Sequence, residues 1–187
     1  MSVDRAAAAA PFAGLALRPL SLDDAAALHA LAQRPALAYW EPRAPHLTLD
    51  ACRAWLEVAV LSRHLLAAWV GDTLVGWAEL TPGRYRRAHV ASLSLVVHDD
   101  WQRRGIGRAL LLAMLDLADR WLGLRRLEAT LYADNEAASA LLCSAGFEME
   151  VRQRGFALRD EGLVDGCLMA RLRAPMPVAA EHTTHDT

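Results

Sequence analysis

The amino-acid sequence predicts a single α/β domain (α+β mixed) in which a mixed, mostly antiparallel sheet carries helices on both faces. Helical and strand periodicities follow one another in the order β-α-α-β-β-β-α-β-α-β-β. Two pairs of apolar runs are separated by turn residues, which is typical of antiparallel hairpins. The chain of 187 residues has the size of one domain, and no linker or internal repeat divides it.

The first elements are defined by an apolar run and a capping signal. Residues 14–19 form a short apolar stretch that predicts the first strand. Ser21 and Asp24 have the spacing of a capping box, and a helical pattern continues from there to about residue 34. Residues 35–47 contain three prolines and two aromatic residues, so they predict an ordered loop without a regular element.

The remaining elements are predicted from the periodic spacing of apolar residues and from turn residues. They are a helix from Thr48 to about 63, a hairpin over 65–80 around Gly71 and Asp72, a strand ending at Val97, a helix over about 105–121, a strand over 124–132, a helix that Gly146 ends, and a second hairpin over about 149–158 and 163–172. Residues 1–13 are predicted to be a flexible leader, 14–173 the folded domain and 174–187 a disordered tail.

Composition excludes several classes of function. The net charge is −2, so nothing indicates a nucleic-acid partner. No apolar run is long enough for a membrane span, and no export signal is recognisable, which favours the cytoplasm. All 20 basic side chains are arginine, which rules out both a lysine-dependent phosphate loop and Schiff-base chemistry. The histidines and cysteines lack metal-ligand spacing, so no metal is expected.

The stretch "QRRGIGR", residues 102–108, has an unusual charge pattern. It lies between a predicted buried strand and a predicted helix, and its arginines sit where the helix dipole favours negative charge. A glycine-containing turn at a helix start leaves backbone amides unpaired, and glycine lets a ligand approach that backbone closely. The turn therefore predicts an anion site suited to phosphate, with Asp99 and Asp100 balancing the arginines in the absence of a ligand.

This turn resembles the signature Q/R-x-x-G-x-G/A of the GNAT superfamily of N-acetyltransferases, and the resemblance extends over about residues 14–173. It implies that acetyl-CoA is the donor substrate and that the turn binds its pyrophosphate. The strand residues before the turn would pair with the pantetheine arm, and an asparagine would contact the cofactor. The cofactor-binding residues implied in this way are Leu95, Val96, Val97, Gln102, Arg103, Arg104, Gly105, Ile106, Gly107, Arg108 and Asn135.

The sequence departs from the family where proton transfer is expected. The usual tyrosine acid corresponds to Leu142, and the usual carboxylate base to Ala91 or Ser92. An α-amine with a pKa of about 8 needs only about 1.4 kcal/mol to lose its proton at pH 7, whereas a lysine side chain needs about 4.6 kcal/mol. A site without a strong base is therefore better suited to an α-amine.

Other residues are candidates for the proton transfers. Tyr132 is a surrogate acid or a packing residue, and His89 is a water-mediated relay or a surface histidine. Glu79 and Glu128 lie in predicted strands and are candidate bases, although the arginines beside Glu128 favour an ion pair.

The acceptor is expected to be a small-molecule amine. In the family, the loop between the first two helices helps to form the acceptor pocket, which makes Tyr39, Trp40 and Glu79 the candidate substrate-binding residues. The overall pattern resembles a bacterial subgroup that acetylates free L-amino acids. Polyamine acetylation, protein N-terminal acetylation and a non-catalytic acyl-CoA-binding module remain alternatives, and a homodimer is possible for this family.

Overall fold

A computed structural model describes residues 12–40, 48–159 and 162–173. Their strands form one seven-stranded sheet in the order β1-β2-β3-β4-β5-β7-β6. The strands are β1 (Leu15–Pro19), β2 (His64–Val70), β3 (Thr73–Pro82), β4 (Val90–Val97), β5 (Arg126–Tyr132), β6 (Glu148–Arg159) and β7 (Gly162–Leu172). Every neighbouring pair is antiparallel except β4 and β5. The predicted mixed, mostly antiparallel sheet is confirmed.

Five α-helices lie in the described part of the chain: α1 (Ala25–Ala32), α2 (Pro35–Trp40), α3 (Leu49–Ser62), α4 (Ile106–Asp116) and α5 (Glu136–Cys143). The π-helical turn Leu117–Trp121 extends α4. The prediction of a loop at 35–47 is wrong for α2, because a proline at the first helical position has the φ angle that a helix needs. Leu37, which is 9% exposed, anchors α2 in the core.

Each face of the sheet carries its own apolar core. On one face, α4 and α5 cover the strands through residues such as Leu110, Met114 and Leu142. On the other face, α1 and α3 do so through residues such as Leu28 and Leu56. Side chains along a strand alternate between these two cores. The name "acceptor face" is used below for the face that α1 and α3 cover.

The entry into α1 is fixed by a buried carboxylate. Asp24 is 6% exposed and binds the Arg18 guanidinium through both oxygens, at 2.7 and 2.8 Å. It also accepts the Ser21 backbone amide at 2.8 Å, which confirms the predicted capping box. The bonds from Arg18 are the main cause that lowers the pKa of Asp24 to about 2.

The predicted tail, residues 1–11 of the predicted leader and the centre of the second hairpin lie outside the described residues. Phe12, at the end of the predicted leader, packs edge-on against Trp101 with ring centroids 5.6 Å apart. Among the described residues, no helix has both the length and the apolar character that crossing a membrane requires.

Candidate active site

β4 and β5 separate after three pairs of residues. Their parallel register runs from Val90–Arg126 to Ser92–Glu128, whereas β4 stays paired with β3 as far as Val97. The edges of residues 93–97 and 129–132 therefore face each other across a gap in the ladder. This gap lies where the sequence predicted that Leu95, Val96 and Val97 pair with the pantetheine arm.

The turn after β4 has the backbone geometry of an anion site. Arg103 and Gly105 have φ angles of 58° and 80°, and the first helical bond of α4 is donated by Ala109 to the Gly105 carbonyl at 2.9 Å. Within the described residues, no carbonyl or side chain accepts the backbone amides of residues 103–108. Alternating left- and right-handed residues at a helix start form the concave amide array that binds phosphate.

Side chains around the turn hold it in place. The amide nitrogen Nε2 of Gln102 donates to the Val97 carbonyl at 3.3 Å and so ties the turn to the end of β4. The Arg104 guanidinium lies 4.8 Å from the centre of the Trp101 ring. Arg103 is exposed and Arg108 is half-buried at the start of α4, where both can contact a polyphosphate.

The two acids before the turn do not pair with its arginines, so that prediction is wrong. Arg34, which follows α1, binds Asp99 through Nε and Nη2 at 2.9 and 3.0 Å and Asp100 through Nη2 at 3.0 Å. The hydrogen bonds from Arg34 are the main cause that lowers the pKa of Asp99. One candidate ligand atom each from His98, Asp99 and Asp100 lies within 4.8 Å of the others, but Arg34 already binds both oxygens of Asp99 and one of Asp100.

Gly107 and Ile106 serve packing as well as the turn. A Cβ atom on Gly107 would lie 3.3 Å from Leu141, 3.5 Å from Val97 and 3.7 Å from Leu95. Close packing of α4 against β4 and α5 therefore requires a glycine at position 107. The sequence analysis had explained this glycine by the approach of a ligand to the backbone. Ile106 is 1% exposed and belongs to the core, so only its backbone amide can face a cofactor.

Asn135 caps the helix that follows β5. Its side-chain oxygen accepts the Ala138 amide at 3.0 Å. This bond fixes the side chain near the end of β5, beside the gap. The NH₂ group is the part of Asn135 that can donate to a ligand.

Two carboxylates stand on the acceptor face beside β4, and they differ in their partners. Glu79 is 5% exposed, faces Ser94 in the β3–β4 register and binds one arginine, Arg63. Glu128 faces Ser92 at the closed end of the gap and binds two arginines. Its oxygens lie 2.7 Å from Arg126 and 3.0–3.1 Å from Arg87, which confirms the predicted ion pair.

The partners of Glu128 make it a poor base. Burial raises its pKa, but the pairs with Arg126 and Arg87 together outweigh burial, so the net pKa is lowered. Glu79 is therefore the better candidate for binding or deprotonating an amine at the gap. Arg84 and Arg86 are exposed near the start of β4, at the opposite end of this strand from the phosphate turn.

The other proposed proton donors lie in different surroundings. His89 is exposed and precedes β4; it lies three residues before Ser92, where the gap begins, and its role as a water-mediated relay stays a prediction. Tyr132 is 4% exposed at the end of β5 and borders the gap. Leu142, at the usual tyrosine position, is 8% exposed in the core.

An aromatic box that the sequence did not reveal lies beside Tyr132. The Arg159 guanidinium carbon is 4.0 Å from the ring centres of Tyr39 and Tyr132 and 5.0 Å from that of Trp40. Nη1 donates to Asp134 at 2.6 Å and to the Tyr39 hydroxyl at 3.1 Å. The sequence predicted Arg159 to lie in the turn of the second hairpin, whereas it is the last residue of β6. Its partner Tyr39 is 120 residues away, so no local pattern could have indicated the box.

The box also unites two predicted substrate-binding residues. Tyr39 and Trp40 come from α2, and their rings meet edge-on at 4.8 Å. Trp40 and Phe156 both contact Tyr132, with centroids 6.3 and 5.6 Å apart. Glu79 lies on β3, further along the same face, where it binds Arg63. The acceptor side thus consists of a carboxylate beside β4 and an aromatic box at the end of β5.

Comparison with known proteins assigns this geometry to a family. A protein-family model, that of the acetyltransferase (GNAT) domain, matches residues 15–148. Over 111 residues the chain is 34% identical to the L-amino acid N-acetyltransferase AaaT of Escherichia coli, an alignment covering 59% of this chain and 68% of that protein.

Solved structures share the whole fold. A ribosomal-protein-alanine N-acetyltransferase from Brucella melitensis is 27% identical, with a TM-score of 0.74 over 84% of this chain and 99% of that one. The yncA protein from Salmonella typhimurium, solved with its cofactor acetyl-CoA, is 23% identical, with a TM-score of 0.75 over 88% of this chain and 97% of that one.

Acetyl-CoA is the donor that three observations support: the turn, the gap beside β4 and the family match. The amides of residues 103–108 and the side chains of Arg103 and Arg108 suit a pyrophosphate, and the open edge of β4 suits an amide-containing arm. The family match argues against the alternative of a non-catalytic acyl-CoA-binding module, since members of the family transfer acetyl groups to amines. The chain belongs to the GNAT family and is an acetyl-CoA-dependent N-acetyltransferase.

Proposed function

We propose that the acceptor is the α-amine of a free amino acid. The observation that carries this proposal is the pairing of the carboxylates on the acceptor side. Glu79 binds Arg63, Glu128 binds Arg126 and Arg87, and Asp134 binds Arg159. A polyamine carries several positive charges and would require several carboxylates that are not already neutralised. A single α-ammonium group needs only one carboxylate, and Glu79 can supply it because a single nitrogen, Nη1 of Arg63, contacts its two oxygens.

The similarity to the Escherichia coli L-amino acid N-acetyltransferase supports the same acceptor class. The aromatic box adds an apolar surface suited to a large side chain, as in an aromatic amino acid or methionine. Protein N-terminal acetylation is the second candidate, because the Brucella melitensis structure has 27% identity over nearly its whole length.

The chemistry requires little assistance when the amine is an α-amine. Its neutral form is accessible near pH 7 at a cost of about 1.4 kcal/mol, and a thiol with a pKa of about 8.5 is a good leaving group. We assign Glu79 to the ammonium form of the acceptor, where a buried carboxylate favours binding and accepts the proton. We also assign Tyr132, the last residue of β5, to proton donation to the departing thiolate.

The test is an acceptor panel in which thiol release from acetyl-CoA is measured. The panel contains L-phenylalanine, L-methionine, spermidine and a peptide with N-terminal alanine. We expect kcat/KM for at least one amino acid to exceed that for spermidine and the peptide by about tenfold or more. A higher kcat/KM for spermidine or for the peptide would contradict the proposal and identify the acceptor class.

Location and assembly remain proposals from the sequence. A cytoplasmic location is consistent with Cys143 and Cys167, which are both thiols. A homodimer would be recognised from the molar mass measured by light scattering on a sizing column.

A further inference from the structure

The Arg159 side chain makes two strong interactions through one of its nitrogens. Nη1 donates to Asp134 and to the Tyr39 hydroxyl, while the rings of Tyr39 and Tyr132 lie close to the guanidinium. Burial disfavours the charge, but Asp134 and the two phenols together outweigh it, and the pKa of Arg159 is raised. The guanidinium is therefore a fixed positive charge inside the box.

The other two nitrogens of Arg159 are buried without partners. The side chain is 11% exposed, and Nε and Nη2 have no hydrogen-bond partner among the described residues. A buried donor left without an acceptor destabilises a fold, because its hydrogen bond to water is lost and not replaced. Two such donors on one side chain, beside a substrate gap, indicate that a ligand supplies the acceptors.

Nε and Nη2 form the edge of a guanidinium that matches a carboxylate. Arg34 demonstrates this in the same chain, since its Nε and Nη2 hold the two oxygens of Asp99 at 2.9 and 3.0 Å. Bidentate pairs of this kind are the strongest and most directional that arginine makes. We propose that Nε and Nη2 of Arg159 bind the carboxylate of the acceptor amino acid, an inference that rests on the proposed function.

Tyr132 connects this carboxylate site to the site of acetyl transfer. It is the last residue of β5, so its backbone borders the gap, while its ring contacts Arg159. An amino acid whose carboxylate lies on Arg159 therefore directs its α-amine toward the gap and its side chain toward the aromatic rings. The site selects acceptors in which the amine and a carboxylate are neighbours.

Tyr39 and Trp40 control access to Arg159. Both belong to α2, a helix of six residues, and Tyr39 is 50% exposed. Because Nε and Nη2 are inaccessible in the closed box, an incoming carboxylate requires rings that lie over the guanidinium to shift, and the exposed Tyr39 is the one best able to do so. The closed box prevents water from competing for the guanidinium when no acceptor is bound.

The experiment compares L-phenylalanine with L-phenylalaninamide, which keeps the amine and the ring but lacks the carboxylate. We expect Arg159→Gln to lower kcat/KM for phenylalanine by about 100-fold or more and kcat/KM for the amide by less than about threefold. Arg159→Lys keeps the charge but lacks the forked edge, and we expect it to restore less than about a tenth of the lost activity.

The matched control is Arg152→Gln. Arg152 lies on the same strand and pairs with Asp165 at 2.9 Å, and this variant should leave both acceptors unaffected. A separate measurement tests whether Arg159 binds the 3′-phosphate of the cofactor and not the carboxylate of the acceptor. It compares the affinities for acetyl-CoA and for its 3′-dephospho form. Arg159→Gln should change neither affinity by more than about twofold, and the melting temperature of each variant reports its folding.

Three results would overturn the proposal. Equal losses for phenylalanine and its amide would make Arg159 a structural residue only. A loss of acetyl-CoA affinity that disappears with the 3′-dephospho form would assign Arg159 to the cofactor's phosphate. Failure of the wild type to acetylate any amino acid, with another amine accepted, would refute the proposed function itself and this inference with it.

Discussion

Glu79 and Arg63 form an ion pair in which a single nitrogen contacts both carboxylate oxygens. Nη1 of Arg63, at the end of α3, lies 3.1 Å from each oxygen. The carboxylate is nearly inaccessible on its strand, whereas Arg63 is 28% exposed. Glu79 is thus held in one orientation on the acceptor face, one strand away from the gap.

Replacement of Glu79 by glutamine tests its role toward the amine. Glu79→Gln keeps the shape but removes the charge, and we expect kcat/KM for L-phenylalanine to fall by about 100-fold. Glu128→Gln is the control, because Glu128 stands on the same face but is bound by two arginines, and it should cost less than about threefold. Initial rates of thiol release measure both, and equal effects would remove Glu79 from the mechanism.

The arginines of the turn are expected to determine donor affinity. Replacing Arg103 and Arg108 together by glutamine should weaken acetyl-CoA binding by about 10- to 100-fold, because charge-assisted bonds to phosphate are lost. The dependence of binding on salt should decrease in parallel. Calorimetric titration measures both quantities.

The control for the turn arginines is Arg120→Gln. Arg120 pairs with Asp116 near the other end of the same helix, at 3.0 Å on an exposed surface, and its loss should leave acetyl-CoA affinity unchanged. A donor affinity that is insensitive to the double substitution would mean that the backbone amides alone bind the phosphates.

The two glycines of the turn should respond differently to substitution. Gly105→Ala meets no atom within 4 Å but must adopt a φ of +80°, which costs about 1 kcal/mol, or roughly 2–4 °C in melting temperature. Gly107→Trp forces a ring against Leu141, Val97 and Leu95 and should lower the melting temperature by more than that. Thermal unfolding checks both, and an unchanged melting temperature for Gly107→Trp would contradict the close packing.

The Asp24–Arg18 pair predicts an acid-sensitive contribution to stability. A folded pKa of about 2 lies below the unperturbed value of about 3.9, so the contribution is complete above about pH 4 and disappears as the pH falls toward 2. Since Arg18 is partly exposed, we expect Asp24→Asn to lower the free energy of unfolding by about 1–2 kcal/mol at pH 7.

The same comparison at low pH supplies the test. Near pH 2 the variant and the wild type should unfold at nearly the same denaturant concentration, because Asp24 is then protonated in the unfolded chain and about half protonated in the folded one. Asp23→Asn, in the same turn but exposed, should have little effect at either pH. If Asp24→Asn remains less stable than the wild type at pH 2, the loss of stability comes from altered packing and not from the ion pair.

The donor half of the site was predictable because its signals are local. Gly105 and its neighbouring arginines lie in one turn between a strand and a helix, so sequence spacing alone defines their geometry. Ser21 and Asp24 are three residues apart, and the capping box follows directly. The predictions failed where a partner is distant, since Arg34 binds acids 65 and 66 residues away.

The acceptor half was less predictable for the same reason. Tyr39 and Trp40 were named as substrate-binding residues, but the helix that carries them was interpreted as part of a loop because residues 35–47 contain three prolines. Arg159 follows an apolar stretch in a hairpin and carries no spacing signal. Its surroundings arise only from the register of β6 and β7 and from the position of α2, which depend on the complete fold.

Arg34 stands at the junction of the two substrate sites. Its guanidinium holds the acids of the donor turn, and α2, which begins at the next residue, carries the rings that cover Arg159. The residue contacts neither reacting group, yet it sets the position of both flanking segments. A single remote substitution, Arg34→Gln, should therefore raise the KM of the acetyl donor and of the amine together.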